Sequence, residues 1–359
     1  MSSDITPGRP ETVPTSHPSP LSGAPAGPEP ASRKGTLTSF SIKYGFLIVM
    51  AASFIGFGLV QPAFWNSDNL FSILLGVTVY AILALGVTFT LVIDGLDLSV
   101  GSTAAMSVMV ASYVMVVMEG SGLEAIVVCL IIGAMIGLMN GVLIVFLKIP
   151  DLLATLGMMF LVMGLQLIPS GGRSIGTGMM LDNGDEAMGQ FSDGFLFLGQ
   201  GRVFDVIPTP VIFMLILAVV VYVILDHTRW GRVFYAIGGN AEAARLVGAA
   251  VDRYRIMAYV LSGSIAAFGG ILLAARVGRG DVSSGGGLLL DAVGAALIGY
   301  AVLGVRRPNP FGTIVGAIFV GLLLNGLTML NLPYYTQDFI KGLVLVAALA
   351  FTFGLAKRR

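Results

Sequence analysis

Ten apolar runs, each close to twenty residues long, recur along the chain at 43–62, 70–93, 99–118, 123–146, 152–169, 209–226, 256–276, 288–304, 310–330 and 336–355. A helical run of this length matches the hydrocarbon thickness of a bilayer. Lipid offers backbone N–H and C=O groups no partner, so a spanning segment must satisfy them itself, as a helix does. The expected fold class is an all-α polytopic membrane protein with about ten transmembrane helices. Composition agrees: 56% of residues are hydrophobic and 11% charged, against roughly 45–50% and 25% in soluble domains.

The start of the chain departs from that pattern. "PGRPETVPTSHPSPLSGAPAGPEP" is rich in Pro, Ser and Gly and has no apolar run. Such a stretch buries too little surface to offset chain entropy. Residues 1–40 are predicted to be a disordered cytoplasmic tail, followed by a transmembrane domain over 41–359. No apolar core follows a basic start, so the tail does not read as a signal peptide.

Basic residues fix the expected direction of insertion. With ten spans and a cytoplasmic N-terminus, one side collects Arg33, Lys34, Lys43, Lys148, Arg229, Arg232, Arg245, Arg253, Arg255, Arg306, Arg307, Lys357, Arg358 and Arg359. The other side receives Arg173, Arg202, Arg276 and Arg279, with Lys341 inside the last run. Cytoplasmic loops carry the Lys and Arg excess, so both termini are expected in the cytoplasm. Two connections exceed a turn. The outer one, 170–208, holds Asp182, Asp185, Glu186, Asp193 and Asp205; the inner one, 227–255, is basic. Long connections in compact proteins are usually functional.

Inside the basic connection, "GGNAEAARLVGAA" places Asn240 as an N-cap ahead of a short helix that Gly248 closes. Ala241, Ala244 and Gly248 form a face of small side chains. That face can lie in a groove of another chain, with Arg245, Arg253 and Arg255 forming ion pairs to it, or rest on anionic lipid headgroups.

Carboxylates within apolar surroundings are costly and usually functional. "DGLDLSVGS", residues 94–102, places Asp94 and Asp97 between the second and third runs. Asp97 or Ser99 can accept from the free N–H groups opening the third helix, where negative charge also complements the helix dipole. "DVSSGGG", residues 281–287, repeats the Asp-apolar-Ser-x-Gly pattern ahead of the eighth run. Five runs separate the two copies, so they face opposite sides of the membrane. An inverted-topology repeat, with spans two to five and seven to ten as halves, predicts such a placement. Asn140, Thr155, Gln166, Asp291 and Asn325 add polar groups within the runs; each suits either a substrate path or an interhelical hydrogen bond.

Gly133, Gly137 and Gly141 make overlapping G-x-x-x-G steps, and Gly312 with Gly316 makes another; close helix packing within the subunit is expected. The lone Cys129 reads as a small packing residue. No G-x-x-x-x-G-K-[ST] stretch occurs, and His17 and His227 form no metal-binding group, so no cofactor is expected on this chain. The net charge of zero gives no reason to expect a nucleic-acid partner.

"EAARLVG", residues 242–248, has the form of the EAA-x3-G loop by which bacterial ABC importer permeases dock on their ATPase subunits. "DGLDLSVGS" resembles the "GGIDLSVGS" signature of the ribose-type sugar permeases. "NGVLIVFLKIPDLLATLGMMFLVMGL" is similar to that family's fourth and fifth spans. "YAIGGNAEAARLVGAAVDRYRIMAYVLSGSIAAFGGILLAAR" is similar to its coupling region and following helix. The resemblance covers about residues 45–355. It implies the permease subunit of an ATP-driven importer for a monosaccharide or related polyol, in a bacterial plasma membrane. ATP and Mg would be handled by a separate ABC ATPase contacting Gly239, Asn240, Glu242, Ala243, Ala244, Arg245 and Gly248. A periplasmic or lipid-anchored binding protein would deliver solute, and a second permease copy or paralogue would complete a path lined by Asp94, Asp97, Ser99, Asn140, Thr155, Gln166, Asp291 and Asn325. Three departures stand out: Asp94 where the family usually has Gly, "IPDL" with Asp151 for "IPPF", and "GVRRPNPFG" for a Gly- and Ser-rich turn. A proton-coupled secondary transporter using Asp94 or Asp97 accounts for the carboxylates but not for the EAA-type loop.

Overall fold

The structure, a computed structural model, describes residues 33–181, 184–299 and 307–354. Most of the expected tail (residues 1–32), Asp182, Arg306 and the basic residues 357–359 lie outside the described residues.

Helices occupy the place of every apolar run; most ends fall within a few residues of expectation, but the first helix begins ten residues early, at Arg33, and the run 288–304 is described only to Gly299. They are α1 Arg33–Val60, α2 Ser67–Val92, α3 Val100–Ser112 with a π-helical turn Tyr113–Val117, α4 Gly122–Val145 and α5 Asp151–Leu165. A short α6, Asp193–Gln200, precedes α7 Thr209–Tyr222, itself extended by a π-helical turn Val223–His227. Then follow α8 Arg229–Gly239, α9 Ala241–Leu246, α10 Val251–Val277, α11 Leu288–Gly299, α12 Pro310–Met329 and α13 Tyr334–Gly354. Seven helical segments among the described residues are long and apolar enough to cross a membrane: α2, α3 and α7 with their π turns, α4, α5 through Ser170, α10 and α12. The apolar part of α1, Phe46–Val60, and α11 are shorter. The protein is thus a mostly helical, polytopic membrane protein.

Local chemistry explains several boundaries. Ser121 and Glu124 form a capping box at the start of α4, the serine hydroxyl accepting from the Glu124 amide and the glutamate from the Ser121 amide. Asn309 caps α12 by accepting from the Gly312 amide at 2.6 Å, with Pro310 as first helical residue. Two elements were not foreseen. α8 fills half of the basic connection, and α6 with a two-residue hairpin (Arg202–Val203 paired to Ile207–Pro208) orders part of the outer one. Their runs are too short to carry a spanning signal.

The core is organised around α10, which packs against α2, α3 and α4. Gly133, Gly137 and Gly141 bring α4 onto the α10 backbone at Gly263, Tyr259 and Ile256. Gly312 and Gly316 do the same for α12 against Gly299 and Ala295 of α11. Both G-x-x-x-G motifs therefore pack helices within the subunit, as expected, and Cys129 is a buried packing residue. α12 and α11 also lean on α2, as α4 and α3 lean on α10. Two non-helical segments interrupt the bundle. Residues 93–99 separate α2 from α3, and 278–287 separate α10 from α11. The start of α3 meets the start of α11 and the second segment: a Cβ on Gly101 would press on Leu289, and one on Gly285 on Ala105. One end of the bundle carries α8 and α9; the other carries the 166–208 connection.

Candidate functional site

The 93–99 segment turns sharply into the bundle. Asp94 opens it with φ +60, a backbone region rarely adopted by residues other than glycine. Three residues on, Asp97 is fully buried, as are Ser99 and Asn140. Its Oδ1 accepts from the Ser99 amide at 2.9 Å and from the Ser99 hydroxyl at 2.6 Å. Its Oδ2 accepts from the Ser262 hydroxyl of α10 at 2.8 Å. Asn140 of α4 donates its Nδ2 to the Ser99 hydroxyl oxygen at 2.9 Å. One carboxylate thus caps the opening of α3 and ties it to α4 and α10. Asn140 Oδ1 is buried with no hydrogen-bond partner among the described residues. Thr155 sits one layer away, its hydroxyl donating to the Asp151 carbonyl at 2.8 Å, while Asp151 Oδ2 accepts from the Leu96 amide at 2.7 Å.

The second copy of the pattern folds alike. Asp281 Oδ1 accepts from the Ser283 amide at 2.9 Å and from its hydroxyl at 2.7 Å. Here the turn is at the surface: Arg279 pairs with Asp281 at 2.9 Å, and no helix closes over it as α4 and α10 close over Asp97. The Ser283 hydroxyl and amide, helped by Arg279, hold the Asp281 carboxyl below the usual carboxylate range.

The remaining polar candidates do not join this node. Gln166 is buried at the far end of α5, its Oε1 without a partner among the described residues. Asn325 of α12 donates to Asn69 Oδ1 at 3.0 Å, linking α12 to the first turn of α2. Asp291, in the first turn of α11, pairs with Lys341 of α13 at 2.8 Å. Sequence reasoning missed Ser262. The one available signal was a hydroxyl in "LSGS", next to the small residues that let α10 approach α4.

At the basic end, α8 lies along the bundle with Gly231, Phe234 and Ile237 buried and Arg229, Trp230 and Arg232 exposed. Phe234 stacks edge-on against Phe89 of α2 and Tyr254 of α10. Arg307 covers the Tyr235 ring at 4.5 Å and pairs with Asp226 at 3.3 Å, while the Tyr235 hydroxyl donates to the Pro308 carbonyl at 2.8 Å. Asn240 caps α9 as expected, accepting from the Ala243 amide at 2.9 Å. Gly248, φ +89, follows the helix in the left-handed region. Two expectations need correction. The small face is not presented outward, because Ala244 is buried against the protein's own core. What α9 and its C-cap expose is Glu242, Ala243, Arg245, Leu246 and Val247, the last two 88% and 85% accessible. Arg245, moreover, pairs within the chain, with Asp252 at 2.6 Å. Among the described residues, no three His, Cys, Asp or Glu side chains are placed to hold a metal ion.

Comparison with known proteins places this architecture. Residues 69–349 match the family model described as the permease component of the branched-chain amino acid transport system. The chain belongs to that permease family. It is 36% identical to the ribose import permease protein RbsC of Escherichia coli K12 over 289 residues, 80% of this chain and 87% of that one. It is 33% identical to the galactose/methyl galactoside import permease protein MglC of Salmonella typhimurium, over 86% and 92% of the two chains. The L-arabinose ABC transporter permease protein AraH of Azospirillum brasilense is 33% identical over 90% and 91%. No solved structure matches the permease. As a permease component it is a transport subunit rather than an enzyme.

Proposed function

We propose that this permease is the membrane subunit of an ATP-driven ABC importer for a monosaccharide or related polyol. The observation that carries the reading is similarity to sugar import permeases over four-fifths or more of the chain. The exposed α9 helix, where the EAA-type loop falls, supports it. In this reading α1–α5, α7 and α10–α13 are ten spans of a bacterial plasma membrane, both termini are cytoplasmic, and α8–α9 lie inside. The matched turns at Asp97 and Asp281, and the reciprocal packing of α4 on α10 and α12 on α2, support an inverted repeat of α2–α5 with α10–α13. A separate ABC ATPase, holding ATP and Mg, docks on Gly239, Asn240, Glu242, Ala243, Arg245 and Gly248. The exposed Leu246 and Val247 extend that contact and Ala244 supports it from within. A solute-binding protein meets the 166–208 connection. A second permease copy or paralogue, set in the surrounding lipid, completes the path, with Asp94, Asp97, Ser99, Asn140 and Thr155 toward its inner side and Gln166, Asp291 and Asn325 toward its outer side.

Co-purification with the ATPase encoded beside this chain tests the reading. Wild type is expected to hold the ATPase through size exclusion, and Glu242→Ala combined with Leu246→Asp and Val247→Asp to lose it. Solute uptake by the permease alone, without ATP, would overturn the importer assignment and move Asp94 and Asp97 to a proton-coupling role.

A further inference from the structure

The end of the bundle that carries α8 and α9 contains a cavity of about 380 Å³, walled by Asp94, Lys148, Asp151, Arg245, Arg255 and Tyr259. Its size falls in the range of small-molecule sites, roughly 300–1,000 Å³. Arg245 is committed to Asp252. The other four charges form no ion pair with one another or with any other described residue. Asp151 uses one oxygen on the Leu96 amide and leaves the other free. Arg255 has its Nε buried with no hydrogen-bond partner, an arrangement that costs free energy unless something fills it.

Two independent features converge on this cavity. Asp94 and Asp151 are far apart in the chain, and both line it. Asp94 moreover holds a carboxylate at φ +60, a backbone region that favours glycine. The wall therefore offers acceptor-only carboxylates beside donor-only ammonium and guanidinium groups, with the Tyr259 phenol at its base. An anion satisfies Lys148 and Arg255 but is repelled by Asp94 and Asp151, and a cation meets the converse. A hydroxyl both donates and accepts, so a ligand with several hydroxyls satisfies the two halves at once.

We propose that this cavity is a binding site for a neutral polyhydroxylated solute, a monosaccharide or polyol. Its position as a site on the exit side rests on the importer reading. In that orientation it opens to the cytoplasm, and sugar accumulated there returns to it and slows further import.

The test uses the full-length permease in lipid nanodiscs, without ATPase or binding protein, and equilibrium dialysis with radiolabelled D-ribose, D-galactose and L-arabinose. Saturable binding of at least one probe is expected, weakened tenfold or more by Arg255→Gln and by Asp94→Asn. The second variant keeps size and tolerance of the left-handed backbone, and monodispersity of each variant is checked beforehand. Absence of saturable binding for all three sugars, or binding unchanged in both variants, would overturn the proposal. Reconstitution with the ATPase and binding protein separates the two ideas. ATP-driven uptake by a permease that binds no sugar alone removes the cavity site and leaves the importer. Sugar binding without any ATP-driven uptake removes the importer and leaves the cavity. Where both hold, millimolar sugar inside the vesicles is expected to slow wild-type uptake by at least half. The slowing is expected to shrink in Asp94→Asn when each variant is normalised to its own rate without internal sugar.

Discussion

Asp97 does at one position what a longer loop would otherwise need several groups to do. It neutralises the opening of α3, accepts from Ser99, and reaches Ser262 on α10. Charge-assisted hydrogen bonds of this kind contribute about 1.5–3 kcal/mol each, and leaving their donors unpaired adds to the loss. Asp97→Ala is expected to destabilise the protein by about 2–4 kcal/mol, read as a lowered thermal midpoint in detergent. Asp97→Asn keeps an acceptor at the same place and is expected to fall between the two. A variant as stable as wild type would mean that the node is not a fold determinant. The twin turn at Asp281 lacks the covering helices, so Asp281→Ala is expected to lower the midpoint much less. Asp97 and Asn140 were legible in the sequence because charged and amide groups stand out in apolar runs, and Ser99 because it stands beside Asp97 at the opening of a helix. Ser262 was not, since a serine in a helix of small residues looks like packing material. Nor did anything in the residue string predict that Gln166, Asp291 and Asn325 would sit away from the node; periodicity says which residues share a helix face, not which helices meet.

Helix contacts in this protein are of two kinds, and substitutions separate them. Along α4 the contact is backbone to backbone: a Cβ on Gly137 would collide with the Tyr259 carbonyl. Gly157 on α5 has open space where a Cβ would sit. Gly137→Val is expected to cost at least the upper end of the roughly 1–3 kcal/mol typical of overpacking and to abolish the monodisperse peak in fluorescence-detected size exclusion. Gly157→Val is expected to leave that peak in place. Between α11 and α13 the contact is instead an ion pair, Asp291 to Lys341, with side chains 13% and 23% accessible. Removing one partner leaves a half-buried charge. Lys341→Met is expected to destabilise by about 1–2 kcal/mol, and the double change with Asp291→Leu to recover most of it, in a double-mutant cycle on thermal stability. Helix positions were readable because twenty apolar residues have few other destinies. α8 was not, because its three buried residues, Gly231, Phe234 and Ile237, alternate with Arg229, Trp230 and Arg232 over too few turns to stand out.

For the molecule as a whole, the cavity and the α8 surface lie at one end. Asp94 and Asp151 line the cavity there, and Arg307 and Pro308 pack on Tyr235 of α8. Leu246 and Met188, both strongly exposed, sit at opposite ends of the bundle. In right-side-out vesicles a membrane-impermeant maleimide is expected to label Met188→Cys and to spare Leu246→Cys. Inverted vesicles should give the reverse, and labelling of both from one side would refute the proposed orientation. Cys129 is buried and does not interfere. The glycine seam between α4 and α10 also sets how the bundle responds to temperature. Lipid tails are as apolar as leucine, so that seam is held by dispersion between closely apposed backbones and not by expulsion of water. Burial of apolar surface from water loses strength on cooling. The seam has no such term, so in a cold membrane the joint between α4 and α10 keeps its grip while water-facing contacts at either end of the bundle slacken first.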